Sequence, residues 1–144
     1  MNFCVSHADT VSSKEFIECA KAFDGQTVTY SGEVVTAIMN RGEYSWINLN
    51  DDYNAIGVWC RRQDLAQVKC VGNYENKGDI LEVKGVFHRA CAEHGGELDI
   101  HAEGLTVIKA GYCRKAPVDM TRIKLTAIFL FLTLSMIIIF RKRL

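Results

Sequence analysis

Three of the chain's four histidines and one of its cysteines fall within a short stretch, as His88, Cys91, His94 and His101. Their spacing is H-x2-C-x2-H-x6-H. Imidazole nitrogen and thiolate sulfur are ligands that zinc and other borderline metals prefer. The spacing is not that of a zinc finger, so three interpretations stay open: a metal site, a site for a polar ligand, and a hydrogen-bonded hairpin without a ligand.

The same residues also suggest a nucleophile and its base, with Cys91 activated by His88 or His94. We nevertheless expect no enzyme. The sequence puts Cys91 and His94 in a hairpin loop, and such loops are too wet and mobile to hold a preorganised catalytic site. No group that would stabilise an oxyanion is indicated either.

A second candidate site is aromatic and lies on two predicted strands, residues 44–50 and 55–61. Successive side chains of a strand point to opposite faces, and in both strands the aliphatic residues share one face. The opposite face carries the candidate ligand-binding residues Tyr44, Trp46, Asn48, Gly57, Trp59 and Arg61, to which we add Arg89 from a later strand.

Exposed aromatic rings on such a face would bind the bases of a single strand, because base–aromatic stacking contributes about 1–3 kcal/mol per base and tolerates any sequence. Arg61, together with Arg41 and Arg62, would meet the phosphates at the edge of the face. The alternative is that the N-terminal helix or a linker covers Trp46 or Trp59, since large aromatic side chains are more often buried than exposed.

These residues are carried by a predicted five-stranded barrel over residues 26–110. We expect strands over 26–39, 44–50, 55–61, 79–89 and 98–109, and a short helix over 62–71. Gly32 and a slipped apolar period predict a bulge in the first strand. In the N-terminal segment, residues 1–25, Ser12 and Glu15 form a capping box that begins a helix packed over one end of the barrel.

This mostly β arrangement, β-β-β-α-β-β, resembles the OB-fold, and most closely the anticodon-binding type in class II tRNA synthetases. The run Trp46-Ile47-Asn48-Leu49-Asn50-Asp51 followed by Ala55-Ile56-Gly57-Val58-Trp59 carries the resemblance. It implies that Trp46 stacks on a base, while Gly57 stands where the family has a polar side chain that reads the base. The loop between strands four and five is a usual wall of an OB ligand site, which would let the Cys/His cluster serve the same ligand.

The C-terminal part is predicted to hold a basic linker, residues 111–122, a transmembrane helix, 123–141, and a basic tail, 142–144. Leu125 to Phe140 are sixteen residues without charge, about 24 Å of helix against a hydrocarbon core of about 30 Å. Lys124 and Arg141 can extend the span by snorkelling. A buried core helix is the alternative.

Basic residues flank both ends of the span, so the positive-inside rule does not orient it. The N-terminus has no basic stretch followed by an apolar one, so we expect no signal peptide. The sequence therefore favours a single-pass membrane protein whose barrel faces the cytoplasm and whose six cysteines are reduced.

Charge divides the chain in the same way as hydropathy. Residues 1–111 hold ten Lys/Arg and sixteen Asp/Glu, whereas residues 112–144 hold seven Lys/Arg and one Asp. An acidic barrel binds nucleic acid only through a local basic patch. The leading hypothesis is a membrane-anchored module for single-stranded nucleic acid or an oligonucleotide. The alternatives are a protein that binds zinc or haem through the Cys/His cluster, and a module that binds a membrane protein.

Overall fold

The structure, a computed structural model, describes residues 10–114 and 120–143. The chain separates into two compact units, residues 1–114 and 115–144. The first unit contains the helices α1 and α2, the strands β1 to β5 and two short 3₁₀ helices, and the second contains α3. Their bounds are α1 Ser13–Glu18, α2 Ala20–Phe23, β1 Thr27–Arg41, β2 Tyr44–Asn50, β3 Ala55–Arg61, 3₁₀ Arg62–Gln67, β4 Ile80–Cys91, 3₁₀ Ala92–His94, β5 Glu97–Lys109 and α3 Met120–Arg143.

The five strands close on themselves in the order β1-β2-β3-β5-β4. Neighbouring strands are antiparallel except β3 and β5, which are parallel. The mostly β, five-stranded prediction is confirmed, and β2 and β3 have the predicted bounds. Along β2, buried side chains alternate with the exposed Tyr44 and then with half-buried side chains, so one face of the strand lies in the barrel interior and the other is partly open to solvent.

Strand β1 is long enough to belong to both halves of the barrel. Its first part, to Glu33, pairs with β4, and its second part pairs with β2. At Gly32 a Cβ would lie 2.9 Å from backbone atoms of Asn50, so only glycine allows this close approach. The predicted bulge is present a few residues later, as a register shift between Val35 and Met39 that contains Thr36 at φ 63°.

The N-terminal helices close one end of the barrel, as predicted. The Phe16 ring is fully buried and stacks on Phe87 with centroids 4.7 Å apart, and Phe23 meets Phe16 edge to face. The capping box of Ser12 and Glu15 is present. The single predicted helix is interrupted at Cys19, where α1 ends and α2 begins.

Asp51 ties these helices to the turn after β2. Its carboxylate accepts hydrogen bonds from the backbone N–H of Ser13 at 2.7 Å and from the Ser13 hydroxyl at 2.6 Å. Burial alone would raise the pKa of Asp51, but these bonds and others from the turn outweigh it and lower the pKa. The aspartate of the resemblance motif therefore has a structural function in this chain.

The predicted helix between the third and fourth strands is wrong in type and length. It is a 3₁₀ helix, and it ends at Gln67. The chain extends after it because the backbone N–H groups of Lys69 and Cys70 donate to Asp79 Oδ2, at 2.6 and 3.0 Å, instead of continuing a helix. These donors are thus satisfied by a side chain that lies ten residues beyond Lys69 and nine beyond Cys70.

The residues after β5 are bound to the same segment, the chain between the first 3₁₀ helix and β4. We call this arrangement the C-terminal clamp. Gly111 N–H donates to Asp79 Oδ1 at 2.6 Å, and Tyr112 exchanges two backbone hydrogen bonds with Lys77. Cys113 is joined to Cys70 by a disulfide with Cα atoms 5.5 Å apart. Residues 111–114, which the sequence placed in a linker, therefore belong to the barrel unit.

The expectation of reduced cysteines is wrong for Cys70 and Cys113, because sequence alone does not show that the fold brings them together. Cys19 is also disulfide-bonded. Cys60 and Cys91 are free, buried thiols. Pro117 and the first nine residues, on which other expectations rested, lie outside the described residues.

The second unit is a helix that contains the predicted span, residues 123–141, and extends it at both ends. Residues Met120–Lys142 are long and apolar enough to cross a membrane. At 1.5 Å per residue they reach about 34 Å, more than the hydrocarbon core of about 30 Å. The hydroxyls of Thr126, Thr133 and Ser135 donate to carbonyls of their own helix, which satisfies them without water.

Candidate ligand-binding face and metal-ligating cluster

Three aromatic side chains form one strip across β2 and β3. Trp46 and Trp59 are cross-strand neighbours, with ring centroids 6.4 Å apart. Tyr44 stacks on Trp59 at 5.3 Å with the rings within 8° of parallel. Tyr44 is 40% exposed, and both tryptophans are half-buried. We call these three residues the aromatic strip; the N-terminal helices pack elsewhere, on the core, through Phe16 and Phe23.

Gly57 and Asn48 hold Trp46 in position. A Cβ at Gly57 would overlap the indole, so the ring lies directly on the backbone of β3. The indole N–H donates to Asn48 Oδ1 at 3.3 Å, and the Asn48 amide in turn donates to Thr36 Oγ1 at 3.0 Å. Both candidate residues therefore orient the ring, and the unusual backbone of Thr36 in the bulge supplies the last partner.

Grooves open on both sides of Trp59. One, of about 570 Å³, is lined by Trp46 and Arg41 together with Glu97. The other, of about 770 Å³, is lined by Tyr44 and Arg61 and by carboxylates such as Asp64. Both grooves thus contain arginine and carboxylate side chains. Arg61 and Arg62 lie together at the open end of the β2–β3 hairpin, where β2 begins and β3 ends.

Arg89 is separate from this face. Its Nε lies 3.5 Å from Asp24 Oδ2, and its backbone N–H donates to Asp24 Oδ1 at 3.1 Å. Asp24 ends α2, so Arg89 ties β4 to the N-terminal helices. The sequence assigned it to the ligand site because it could not show this partner.

Four potential metal ligands converge beside the aromatic strip: Cys91, His94, Asp99 and His101, whose donor atoms all lie within 4.8 Å of one another. We call them the ligand cluster. His101 Nε2 is 3.4 Å from Cys91 Sγ and 3.3 Å from His94 Nδ1. His94 Nδ1 also contacts Asp99 Oδ2.

The structure replaces one member of the predicted set. His88 packs edge to face on His101, with centroids 4.6 Å apart, but it is not among the converging ligands. Asp99 takes its place. Asp99 was not among the ligands predicted from the sequence, although its spacing of two from His101 on one strand already puts both side chains on the same face.

The hairpin loop brings His94 over β5. Gly95 and Gly96 adopt φ of 72° and 87°, which favour glycine, and Gly96 N–H donates back to Cys91 O at 2.7 Å. Asp99 is fully buried below the loop, and its Oδ1 has no hydrogen-bond partner among the described residues. Burial raises the pKa of the Cys91 thiol.

The aromatic strip and the ligand cluster meet at His94. Its ring lies 5.1 Å from Trp46 and 4.7 Å from Trp59, centroid to centroid. The two sites that the sequence suggested separately are therefore in direct contact. Anything that moves His94 also moves the surroundings of both tryptophans.

No known protein family matches the chain, and no curated protein is significantly similar to it in sequence. Solved structures do match. Asparaginyl-tRNA synthetase from Pyrococcus horikoshii aligns with a TM-score of 0.51 at 21% identity, over 72% of this chain and 24% of that chain. The same enzyme complexed with asparaginyl-adenylate gives 0.52 at 20% identity, over 76% and 24%.

Aspartyl tRNA synthetase from Entamoeba histolytica gives a TM-score of 0.52 at 13% identity, over 74% of this chain and 23% of that chain. The chain thus spans about a quarter of the length of the synthetases it matches. At such identities the similarity concerns the fold alone. It supports an OB-like fold, as the sequence predicted.

Proposed function

We propose that this chain is a non-enzymatic, membrane-anchored OB-like module that binds single-stranded nucleic acid through the aromatic strip. The observation that carries the proposal is the stacked pair of Tyr44 and Trp59 beside the half-exposed Trp46 on one solvent-facing side of the barrel. Rings kept at the surface in mutual contact are ready to accept a base without rearrangement.

Stacking supplies the main part of the binding free energy in this proposal. Each ring of the strip has one side occupied: Tyr44 and Trp59 cover each other, and Trp46 lies on Gly57. His94 also packs against Trp46 and Trp59, and the ring surface that these contacts leave exposed remains for bases, at about 1–3 kcal/mol for each base that stacks. Because position 57 carries no side chain, the site recognises the flat surface of a base and not its hydrogen-bonding edge.

The phosphates would meet Arg41, Arg61 and Arg62 at the end of the hairpin. Carboxylates in the same grooves keep this patch small, so we expect weak electrostatic attraction. Three phosphate contacts correspond to a slope of about −2 in a plot of log K against log salt concentration for a single strand. The solved structures named above are tRNA synthetases, which agrees with a nucleic-acid ligand.

Helix α3 is proposed to be the anchor. Its apolar side chains are exposed all round, as expected for a span surrounded by lipid. The sequence favoured the cytoplasm because it predicts no signal peptide, and reduced cysteines were expected as a consequence of that orientation. Cys70 and Cys113 are instead bonded to each other. Since disulfides persist in oxidising compartments and are rare in the cytosol, we place the barrel on the oxidising side of the membrane.

The orientation is tested by alkylation in intact membranes. Free thiols are first blocked, the sample is then reduced, and newly exposed thiols are labelled with a heavy maleimide. A mass shift that needs both Cys70 and Cys113 supports the oxidising side. Modification of both cysteines by the blocking reagent, before reduction, would place the barrel in the cytoplasm.

The nucleic-acid proposal is tested by titration of the full chain in detergent micelles with oligo-dT and oligo-rU of about 8 nucleotides. Trp46 and Trp59 are the only two tryptophans of the chain, so intrinsic fluorescence reports on the strip directly. We expect saturable quenching that weakens with salt. Fluorescence unchanged by either oligonucleotide would contradict the proposal and favour a protein partner for the strip.

A further inference from the structure

We propose that Cys91, His94, Asp99 and His101 bind one divalent transition-metal ion of the zinc class. Metal binding by these residues does not require a nucleic acid. The ligand set differs from the one that the sequence suggested by the exchange of His88 for Asp99. Its members come from the end of β4, the hairpin loop and β5, so the ion would join three consecutive segments.

The first argument is that four donor atoms point at one place. His101 Nε2 lies 3.4 Å from Cys91 Sγ, 3.3 Å from His94 Nδ1 and 3.4 Å from Asp99 Oδ2. One ring nitrogen carries either one proton or one lone pair, so it cannot bond to all three. A common centre bound by all four atoms accounts for the arrangement.

A catalytic cysteine explains the geometry less well. In a nucleophile–base–orienter arrangement the base uses one ring nitrogen for the nucleophile and the other for the carboxylate. In this chain the same nitrogen of His101 faces both Cys91 and Asp99. Convergence on one atom is typical of ligands around an ion.

The distances fit such an ion. Bonds of about 2.0–2.3 Å from a tetrahedral zinc to nitrogen, oxygen and sulfur put neighbouring ligand atoms about 3.3–3.8 Å apart. The three separations measured from His101 Nε2 are 3.3 to 3.4 Å. Binding would require His94 Nδ1 and Asp99 Oδ2, which lie closer than this, to separate slightly.

Charge and burial point the same way. Cys91 is 5% exposed and Asp99 is fully buried, and a thiolate with a carboxylate offsets a 2+ ion while both histidines stay neutral. Asp99 Oδ1 has no hydrogen-bond partner among the described residues, and without a cation bound near Oδ2 the burial of this carboxylate is costly. The mixture of nitrogen, sulfur and oxygen ligands excludes the hard ions Mg²⁺ and Ca²⁺ as preferred occupants.

Four protein ligands complete a tetrahedral shell, which is the pattern of a structural site and not of a hydrolytic one. The ion would fix the hairpin loop on β5 and, through His94, hold the packing against Trp46 and Trp59. Metal binding should therefore change tryptophan fluorescence even when no nucleic acid is present.

The test uses the full chain in micelles without reductant, so that the disulfides stay closed. The protein is treated with chelator and titrated with Co²⁺, followed by back-titration with Zn²⁺. We expect one equivalent of Co²⁺ with thiolate charge-transfer absorption, displacement by Zn²⁺, and a parallel change in tryptophan emission. Elemental mass spectrometry of the zinc-loaded protein should give one ion per chain.

Two matched histidine variants separate this ligand set from the sequence-derived one. His101→Gln removes a ligand, and we expect the affinity for Co²⁺ to fall by about 100-fold or more. His88→Gln changes a histidine in contact with His101 but outside the ligand cluster, and it should bind as the unchanged protein does. Circular dichroism of both variants in chelator establishes that each is folded.

Three results would overturn the proposal: no stoichiometric Co²⁺ binding by the unchanged chain, equal binding by His101→Gln, or an equal loss in His88→Gln. The isosteric variant Asp99→Asn provides a second check if His101→Gln does not fold. It keeps the shape of the buried side chain and should lose the ion. None of these experiments measures oligonucleotide binding. Failure to bind metal would therefore not contradict the nucleic-acid proposal, which the oligonucleotide titration tests separately.

Discussion

The indole of Trp46 lies on the backbone of Gly57, and no side chain fits between them. Gly57→Ala would force the ring off β3. The indole is rigid, so it cannot move aside as the end of a flexible side chain could. We expect a loss of about 1–3 kcal/mol in the free energy of unfolding, as for other overpacked sites. Tryptophan emission should shift to the red, because the ring becomes more exposed.

The control for this change is Gly104→Ala. Gly104 lies on β5, and a Cβ there would meet no atom within 4 Å. Chemical denaturation of both variants gives the comparison. Equal stability of the two would mean that Gly57 does not need to be glycine for Trp46 to lie where it does.

Trp59→Ala removes the central ring of the aromatic strip and leaves Tyr44 without its stacking partner. If the strip binds bases, the affinity for oligo-dT should fall by about 1–3 kcal/mol, while the slope of log K against log salt should stay unchanged. Emission from the remaining Trp46 follows the titration. Arg61→Gln should instead make the slope of log K against log salt less steep by about 0.7, the contribution of one phosphate contact on a single strand.

Tyr74→Ala is the matched control for Trp59→Ala. Tyr74 is a fully exposed aromatic residue in the loop before β4 and is not part of the strip. An oligonucleotide affinity that falls equally in both variants would show that binding depends on exposed aromatic residues in general, and the strip would not be the site.

Asp79 makes the stability of the C-terminal clamp sensitive to acid. Burial alone would raise its pKa, but backbone N–H donors from Cys70, Gly111 and Lys69 outweigh it and lower the pKa below its ordinary value of 3.8. A carboxyl with a lowered pKa stabilises the fold fully above the ordinary value. The stabilisation is lost as the pH falls below 3.8 and through the folded-state pKa.

Asp79→Asn should therefore cost about 1–3 kcal/mol at pH 7, because an amide oxygen cannot accept all three donors. The difference from the unchanged chain should shrink as the pH is lowered from 5 towards about 2, where both carry an uncharged side chain. Urea denaturation across this range measures it. Glu75→Gln, at an exposed carboxylate in the nearby loop, should show neither effect.

Cys70→Ser removes the disulfide that closes a loop of 43 residues. Chain entropy predicts a loss of up to about 4 kcal/mol for a loop of this length. Cys113→Ser should lose the same amount, and the double variant no more than either single one. Denaturation with and without reductant supplies the test, and stabilities that add in the double variant would show that the two cysteines act separately.

Local patterns predicted most of this fold. The bounds of β2 and β3 follow from alternating side chains between turn residues, and the capping box of Ser12 and Glu15 lies within one helical turn. Such signals depend only on near neighbours in sequence. They specify which segments are strands and which side of each strand faces the core.

The remaining features depend on partners far along the chain. Cys70 donates its backbone N–H to Asp79 and is bonded to Cys113. Arg89 is held by Asp24, 65 residues away. The inclusion of Asp99 in the ligand cluster depends on how the loop folds over it. These long-range contacts leave no periodic pattern in the sequence. The sequence therefore indicated the segment that holds the ligand cluster, and the structure identified its members.

The C-terminal clamp also determines how a mechanical load would enter the domain. A pull on the chain beyond Arg114 reaches Cys113 first, and the covalent bond passes the tension to Cys70, ahead of β4. Without the disulfide, β5 would separate from β4 beginning at the pair of Lys109 and Ile80. Because the disulfide bears the tension first, this pair carries little of the force. Tension applied at the C-terminal end of the barrel unit would therefore not separate β5 from β4 first.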